Sequence, residues 1–320
     1  MNGEVIEVRV HATRFEANGV LSFDLRAVNG ADLPAFTAGS HIDLHLPNGL
    51  IRNYSLINAQ DERHRYVISV SLDRNSRGGS RYLFETQLVG QALNISAPRN
   101  NFRLNEDASS VVLIAGGIGV TPLYCMIQRL ETLGKTWKLH YGARDRASAA
   151  FRAEFEALEA KAPGRVHFNF DLEDGHMLDV ARAVADAPAD AHLYCCGPLP
   201  MLEIYKAAAT GRDPDTIHLE YFSAPELPPA TGGAFTVELK SSGQTFEIEA
   251  GQSILDVLLD AGIAAPYSCA AGECGCCVVQ VYEGEPEHHD CVLSDKERAS
   301  NKLMMICVSG SKTKKLVIDL

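Results

Sequence analysis

The 320-residue chain has no apolar run of membrane-spanning length, a single tryptophan and an odd number of cysteines, nine. The first absence excludes a helical membrane anchor, which needs about 20 apolar residues. The odd cysteine count argues against a framework of disulfides. The start, MNGEVIEVRV, lacks the apolar core of a signal peptide, so a cytoplasmic protein with reduced thiols is expected. Basic charge is also short, with 29 Lys and Arg against 41 Asp and Glu. The deficit is steepest in residues 226–320, which carry 14 acidic and 7 basic groups. Such a balance argues against nucleic acid. It suits either docking to a basic protein surface or ordinary solubility.

What is present centres on Cys269-Ala-Ala-Gly-Glu-Cys274-Gly-Cys276-Cys277. Cys269, Cys274 and Cys277 have the spacing C-x4-C-x2-C, and Cys307 follows well downstream. This is the plant-type [2Fe-2S] pattern. The loop must turn sharply and aim N–H groups at sulfur, and Gly272 and Gly275 supply backbone freedom between the ligands. Cys276 offers a second C-x-C register with Cys274 but is expected to be a non-ligand, because Cys274 and Cys277 fit the pattern and Cys276 does not. A structural zinc site is the alternative, although zinc usually takes paired C-x2-C knuckles. Cys291, in His288-His289-Asp290-Cys291, is expected to lie in an exposed loop without a ligand.

Residues 1–106 hold short apolar or alternating runs, Val5 to Val10, Leu21 to Leu25, His41 to Leu46, Tyr66 to Leu72 and Leu93 to Ser96. Turn residues separate them, which predicts a small antiparallel barrel. Within it, Arg52-Asn53-Tyr54-Ser55 can offer a charge, a ring face and a hydroxyl from one strand. Arg77-Gly78-Gly79-Ser80 is a turn entering a helix expected over Arg81 to Leu88, with N–H groups free for an anion. Each is weak alone; together they point to a flavin site.

From residue 107 to 222 strands and helices alternate. Val111 to Ala115 reads as a buried strand, followed by Gly116-Gly117-Ile118-Gly119-Val120-Thr121-Pro122 and a helix from Thr121 to Leu133, stopped by Gly134. Further strands are expected at Lys138 to Ala143, Arg165 to Phe170 and Ala191 to Cys196. Helices are expected at Ala147 to Lys161, Leu178 to Ala187 and Pro198 to Ala209. The pattern implies a doubly wound parallel sheet with ligands at the carboxyl ends of its strands. The glycine loop is not G-x-G-x-x-G, yet it still sets a glycine turn at a helix start, where a pyrophosphate sits well. Cys196, before Gly197-Pro198, can touch a nicotinamide; Cys195 is expected in the core. Asp145 favours ribose hydroxyls, hence NADH, while neighbouring Arg144 argues the reverse.

A Pro/Gly-rich linker over 223–234 leads to residues 235–320, where strands Phe235 to Lys240 and Gln244 to Glu249, helix Ser253 to Ala261, the ligand loop and strand Cys277 to Tyr282 make a compact α+β, β-grasp ferredoxin domain.

Taken in order, R-x-Y-S-L, R-G-G-S, G-G-I-G-V-T-P, C-C-G-P and the terminal C-x4-C-x2-C cover essentially the whole chain. They resemble phthalate dioxygenase reductase and its relatives, such as the reductase of vanillate O-demethylase. The resemblance implies an FMN-binding barrel, an NADH-binding domain and a ferredoxin domain that together pass electrons to a Rieske oxygenase. It places flavin contacts on Arg52, Asn53, Tyr54, Ser55, Ser69, Val70, Ser71, Gly78, Gly79, Ser80 and Thr121, with Phe222 against the flavin ring. It places nucleotide contacts on Gly116, Gly117, Asp145, Cys196 and Gly197. Ser55, Cys196 and Phe222 would flank the reacting atoms. FAD in place of FMN and a cytochrome P450 acceptor are the nearest alternatives. A zinc-stapled binding protein is the alternative of another class. The chain is expected to act as a monomer.

Overall fold

A computed structural model describes residues 5–73, 78–222, 233–267, 270, 272 and 275–320. Two compact units divide the chain, Gly3–Phe222 and a second built from Ser223–Leu320 with Met1–Asn2.

In the larger unit, strands β1 (Val5–Ala17), β2 (Val20–Ala27), β3 (His41–His45), β4 (Ile51–Ser55), β5 (Tyr66–Ser71) and β6 (Ala92–Ser96) pair antiparallel in the order β4-β3-β6-β1-β2-β5. The edges meet through an antiparallel bridge between Leu56 and Ile68, which closes the sheet into a barrel. Inward residues Val8, Val10, Phe23, Leu25, Ile42, Leu44, Ile68 and Ile95 fill it. The short helix α1 (Gly79–Glu85) begins two residues earlier than expected and ends at Thr86 in extended backbone.

The α/β half runs β7 (Ser110–Gly116), α2 (Val120–Thr132), β8 (Thr136–Ala143), α3 (Arg152–Lys161), β9 (Val166–Phe170), α4 (Asp171–Asp174), α5 (Val180–Ala185), β10 (His192–Cys196), α6 (Leu199–Ala208) and β11 (Ile217–Glu220). All five strands are parallel, in the order β11-β10-β7-β8-β9. The order reverses between β7 and β10, the topological switch point where such sheets bind ligands. From Val111 to Gly116 every residue of β7 is buried, as a central parallel strand requires. On α2, Leu123, Met126, Ile127 and Leu130 face the core, and Gly134 at φ 63° ends the helix.

Two expectations change here. The helix expected from Ala147 starts only at Arg152, because Ser148 N–H donates to Asp145 Oδ1 at 2.8 Å in a local turn. Buried Phe151 then takes a left-handed φ of 57° and stacks on Tyr124 at 4.7 Å. Strand β11 was not expected at all. One continuous apolar core runs from the barrel into the α/β half, from Val8 to Cys196.

The smaller unit contains β12 (Phe235–Leu239), β13 (Thr245–Ile248), α7 (Ile254–Asp260), β14 (Val278–Glu283), β15 (Pro286–Glu287), α8 (Asp295–Ser300), β16 (Leu303–Met305), β17 (Gly310–Ser311) and β18 (Lys315–Ile318). Its main sheet is mixed, β13-β12-β18-β14-β16, with β12 and β18 parallel. Ser253 caps α7 by accepting from Asp256 N–H at 3.0 Å, and Ile254, Leu255 and Leu258 turn inward.

Candidate flavin, nucleotide and iron–sulfur sites

On β4 side chains alternate, so Arg52 and Tyr54 share one face while Asn53 points to the other. The Asn53 amide donates to Asp43, its register partner on β3. Gly79 lies against the Arg52 side chain: a Cβ there would stand 2.7 Å from Nε. Burial raises the Tyr54 phenol far above its usual range and keeps it neutral. Ser55 ends β4 where pairing passes from β3 to β5, so the antiparallel bridge sets it beside Ser69. Ser69 Oγ and Asn53 Oδ1 are enclosed with no partner among the described residues, as expected of groups awaiting a polar ligand. Val70 is buried and Ser71 half-buried on the same strand. Gly78 has φ 95°, and Ser80 Oγ accepts from Asp73 N–H at 3.3 Å. Arg77 lies outside the described residues.

At the switch point two loops interlock. A Cβ on Gly119 would lie 2.3 Å from the Cys196 carbonyl oxygen, and one on Gly116 would lie 2.5 Å from Met201 Sδ. A Cβ on Gly197 would lie 2.6 Å from the same sulfur. Only glycine lets these strand tips close. Gly117, at φ 53°, stands in open space in the 3-10 turn that leads into α2. That turn packs against β5, which brings the glycine loop to the barrel strand carrying Ser69–Ser71. Thr121 is buried and its hydroxyl donates to the Ile118 carbonyl at 2.9 Å, so it braces the loop from inside.

Cys196 is at the strand tip, as expected, but is wholly buried rather than open to a ligand. Burial, then neighbouring Glu220, push its thiol well above its usual value. Glu220 is its register partner on β11, and burial pushes that carboxyl up to about 8. Glu220 Oε2 is enclosed without a partner among the described residues. The sequence does not single out Glu220, since nothing in the residue type alone signals an enclosed acid. Phe222, two residues on, is 38% exposed. Asp145 is half-buried, with Oδ1 engaged by Ser148.

In the smaller unit Cys277 and Cys307 are both buried, and their sulfurs stand 3.1 Å apart, although 30 positions separate them in sequence. A pair so placed is a ready bidentate donor for a thiophilic metal. Gly272 and Gly275 have φ of 71° and 75°, as a tight ligand loop needs. Cys269 and Cys274 lie outside the described residues. Cys276 is half-exposed beside Cys277. The loop from His288 to Cys291 is not exposed: Asp290 is 1% exposed, and its Oδ2 accepts from Val292 and Leu293 N–H at 3.0 and 2.8 Å. Cys291 N–H donates to the Gly272 carbonyl at 3.0 Å, so this segment straps the cysteine loop.

A closed barrel, a switch-point glycine cradle and a buried thiol pair define an oxidoreductase that combines a pyridine-nucleotide domain with an iron–sulfur domain. Two family models agree: the oxidoreductase NAD-binding domain over residues 113–207 and the 2Fe-2S iron-sulfur cluster binding domain over residues 237–311. The chain is 51% identical to phenoxybenzoate dioxygenase subunit beta of Ectopseudomonas oleovorans, covering 98% of this chain and 97% of the relative. It matches the structure of phthalate dioxygenase reductase with a TM-score of 0.72 at 37% identity, covering 99% of this chain and 98% of the other. It also matches an intact type IV self-sufficient cytochrome P450 monooxygenase with a TM-score of 0.89 at 36% identity, covering 99% of this chain but spanning only 41% of that one. The chain belongs to the phthalate dioxygenase reductase family.

Proposed function

We propose that this protein is the reductase component of an oxygenase system, taking a hydride from NADH and delivering electrons singly through FMN and a [2Fe-2S] cluster to a Rieske-type aromatic-ring oxygenase or O-demethylase. The observation that carries the reading is the presence in one chain of a switch-point glycine cradle and two buried thiols 3.1 Å apart. A bound flavin supplies the exchange between a two-electron donor and a one-electron acceptor.

The protein's own groups divide the work. Arg52 offers charge to a flavin phosphate and Tyr54 a ring face. Ser55 and the enclosed Ser69 hydroxyl, which has no partner among the described residues, stand side by side at the barrel seam and offer hydrogen bonds to ring heteroatoms. Asn53 contributes through its backbone and through Oδ1, which has no partner among the described residues, since its amide nitrogen is held by Asp43. The Gly78-Gly79-Ser80 turn lets the chain approach closely. Gly116, Gly117 and Gly197 admit the nucleotide pyrophosphate at the start of α2, where N–H groups and the helix dipole favour an anion. Asp145 keeps one carboxylate oxygen for a ribose hydroxyl. Buried Cys196 is a neutral wall at the nicotinamide end, and Glu220 holds a proton on its carboxyl at neutral pH. Phe222, with its ring partly exposed, would offer an apolar face to a bound flavin. Cys277 and Cys307 together suit one iron, leaving Cys269 and Cys274 for the other. The barrel falls in residues 1–106, the nucleotide half in 107–222, the linker in 223–234 and the ferredoxin domain in 235–320. A cytoplasmic monomer suits these roles, and among the described residues no helix is long and apolar enough to cross a membrane.

The test is NADH oxidation with candidate oxygenase components. Product formation that stops in Cys274→Ser supports the route, and product that persists there removes the cluster from it. Heat release and chromatography of the flavin decide its identity, and FAD alone in the extract overturns FMN. A second reading, a cytochrome P450 as acceptor, is favoured by the reductase-like region of the self-sufficient P450. It wins if a P450 accepts electrons and Rieske components do not.

A further inference from the structure

The tips of β8 and β9 lie side by side, with Ala143 opposite Phe170. Leu172 N–H donates to the Arg144 carbonyl at 3.0 Å and stitches α4 to the segment after β8. In a doubly wound sheet this is where an acid favours free ribose hydroxyls and an arginine favours a 2′-phosphate. Two arginines, Arg144 and Arg146, and four acids, Asp145, Asp171, Glu173 and Asp174, stand here.

Most of them are already engaged. Asp171 Oδ1 accepts from Asn169 Nδ2 at 2.9 Å, and Asp174 Oδ2 accepts from Phe170 N–H at 2.7 Å. Arg146 is held from three sides. Its Nε donates to Glu173 Oε2 at 2.7 Å, its backbone N–H donates to Oε1 at 3.3 Å, and its guanidinium lies 4.5 Å over the Phe170 ring. The two side chains are 58% and 40% exposed, so the pair contributes little to folding. Stability therefore does not account for so complete a clamp on one cation.

We infer that Glu173 is a specificity-determining residue for the pyridine nucleotide: by clamping Arg146 onto Phe170, it withholds from the ribose end the guanidinium that a 2′-phosphate would use. Asp145, with one oxygen uncommitted, then meets a 2′-hydroxyl without competition from Arg146. Arg144 is the other cation nearby, and its side chain is exposed. The selectivity against a phosphate thus depends on keeping the second arginine out of reach. The inference rests on the reading that this half of the chain takes NADH.

The test uses the full-length protein loaded with flavin and cluster. Reduction of ferricyanide is followed with NADH and with NADPH, and binding of 2′-AMP and 5′-AMP is followed by calorimetry. In Glu173→Ala the ratio of kcat/KM for NADH over NADPH is expected to fall about tenfold, through KM for NADPH. 2′-AMP should bind about tenfold tighter, the gain of one charge-assisted arginine–phosphate contact. Adding Arg146→Ala should reverse both changes. If the wild type prefers NADH but neither ratio nor 2′-AMP affinity moves in Glu173→Ala, this inference alone is overturned. A wild type that prefers NADPH overturns the nucleotide reading as well.

Discussion

The two units prepare their sites in opposite ways. In the smaller one the proposed ligands are side chains that are also core: Cys277 and Cys307 pack with Val237, Leu258, Met304 and Ile306 in a single apolar cluster. In the larger one the cradle is made of absent side chains, Gly116, Gly119 and Gly197 at strand tips, with the core behind them. Where ligands belong to the core, losing a ligand threatens the fold. Where the site is backbone, losing the fit threatens turnover first.

The sharpest way to break this contrast is Cys307→Ser. Placing a hydroxyl in the smaller core is expected to lower that unit's stability by about 3 kcal/mol. Electron delivery past the flavin should be abolished, while NADH-driven ferricyanide reduction continues. Thermal melts with separate probes for each unit would check it, and equal destabilisation of both units would erase the distinction. The mirror experiment is Gly119→Ala, whose methyl meets the Cys196 carbonyl, a backbone atom that cannot swing aside. Its kcat/KM for NADH is expected to fall about a hundredfold by stopped-flow, with roughly 1–3 kcal/mol lost in stability. A smaller effect separates proton from scaffold: Glu220→Gln. Glu220 is pushed up to about 8 from a usual 4.5, so the folded chain holds a proton that the unfolded chain releases. Stability from this group therefore falls as pH rises from about 4.5 to 8. NADH oxidation should fall about tenfold as pH passes 8. A pH profile of Glu220→Gln should lack that inflection. Smallest is Ser253→Ala, which removes the α7 cap and is expected to cost about 1 kcal/mol, confined to the smaller unit.

How much of this was legible in the chain follows the same division. Thiol ligands announce themselves because metal chemistry demands particular side chains at short spacing. The glycine loop was visible as a turn between a buried strand and a helix, and Gly134 as a stop. Its closure against Cys196 was not, because that contact joins residues about 80 positions apart. The turn at Asp145 and Ser148 overrode a helical pattern that ran on from Ala147. Strand β11, four residues long, was too short for its period to show. The polar residues from His288 to Asp290 suggested exposure, yet backbone N–H groups of Val292 and Leu293 draw Asp290 inside. Glu220 gave no sign of its role for a related reason, since burial is a property of neighbours rather than of the residue.

The continuous core linking barrel and α/β half also sets what recombination can exchange. A crossover near residue 106 would separate Val8, Ile42 and Phe102 from Val120, Tyr141 and Phe155, which share one apolar cluster. Each hybrid would join apolar faces that were not shaped for each other, which leaves packing defects in the shared core. A crossover after Phe222 passes between two units whose described buried residues fall in separate clusters. Shuffling genes of this architecture therefore yields viable hybrids when the first 222 residues travel as one inheritance and the iron–sulfur portion as another. A hybrid library cut at both points, scored for soluble expression, should show survivors only at the second.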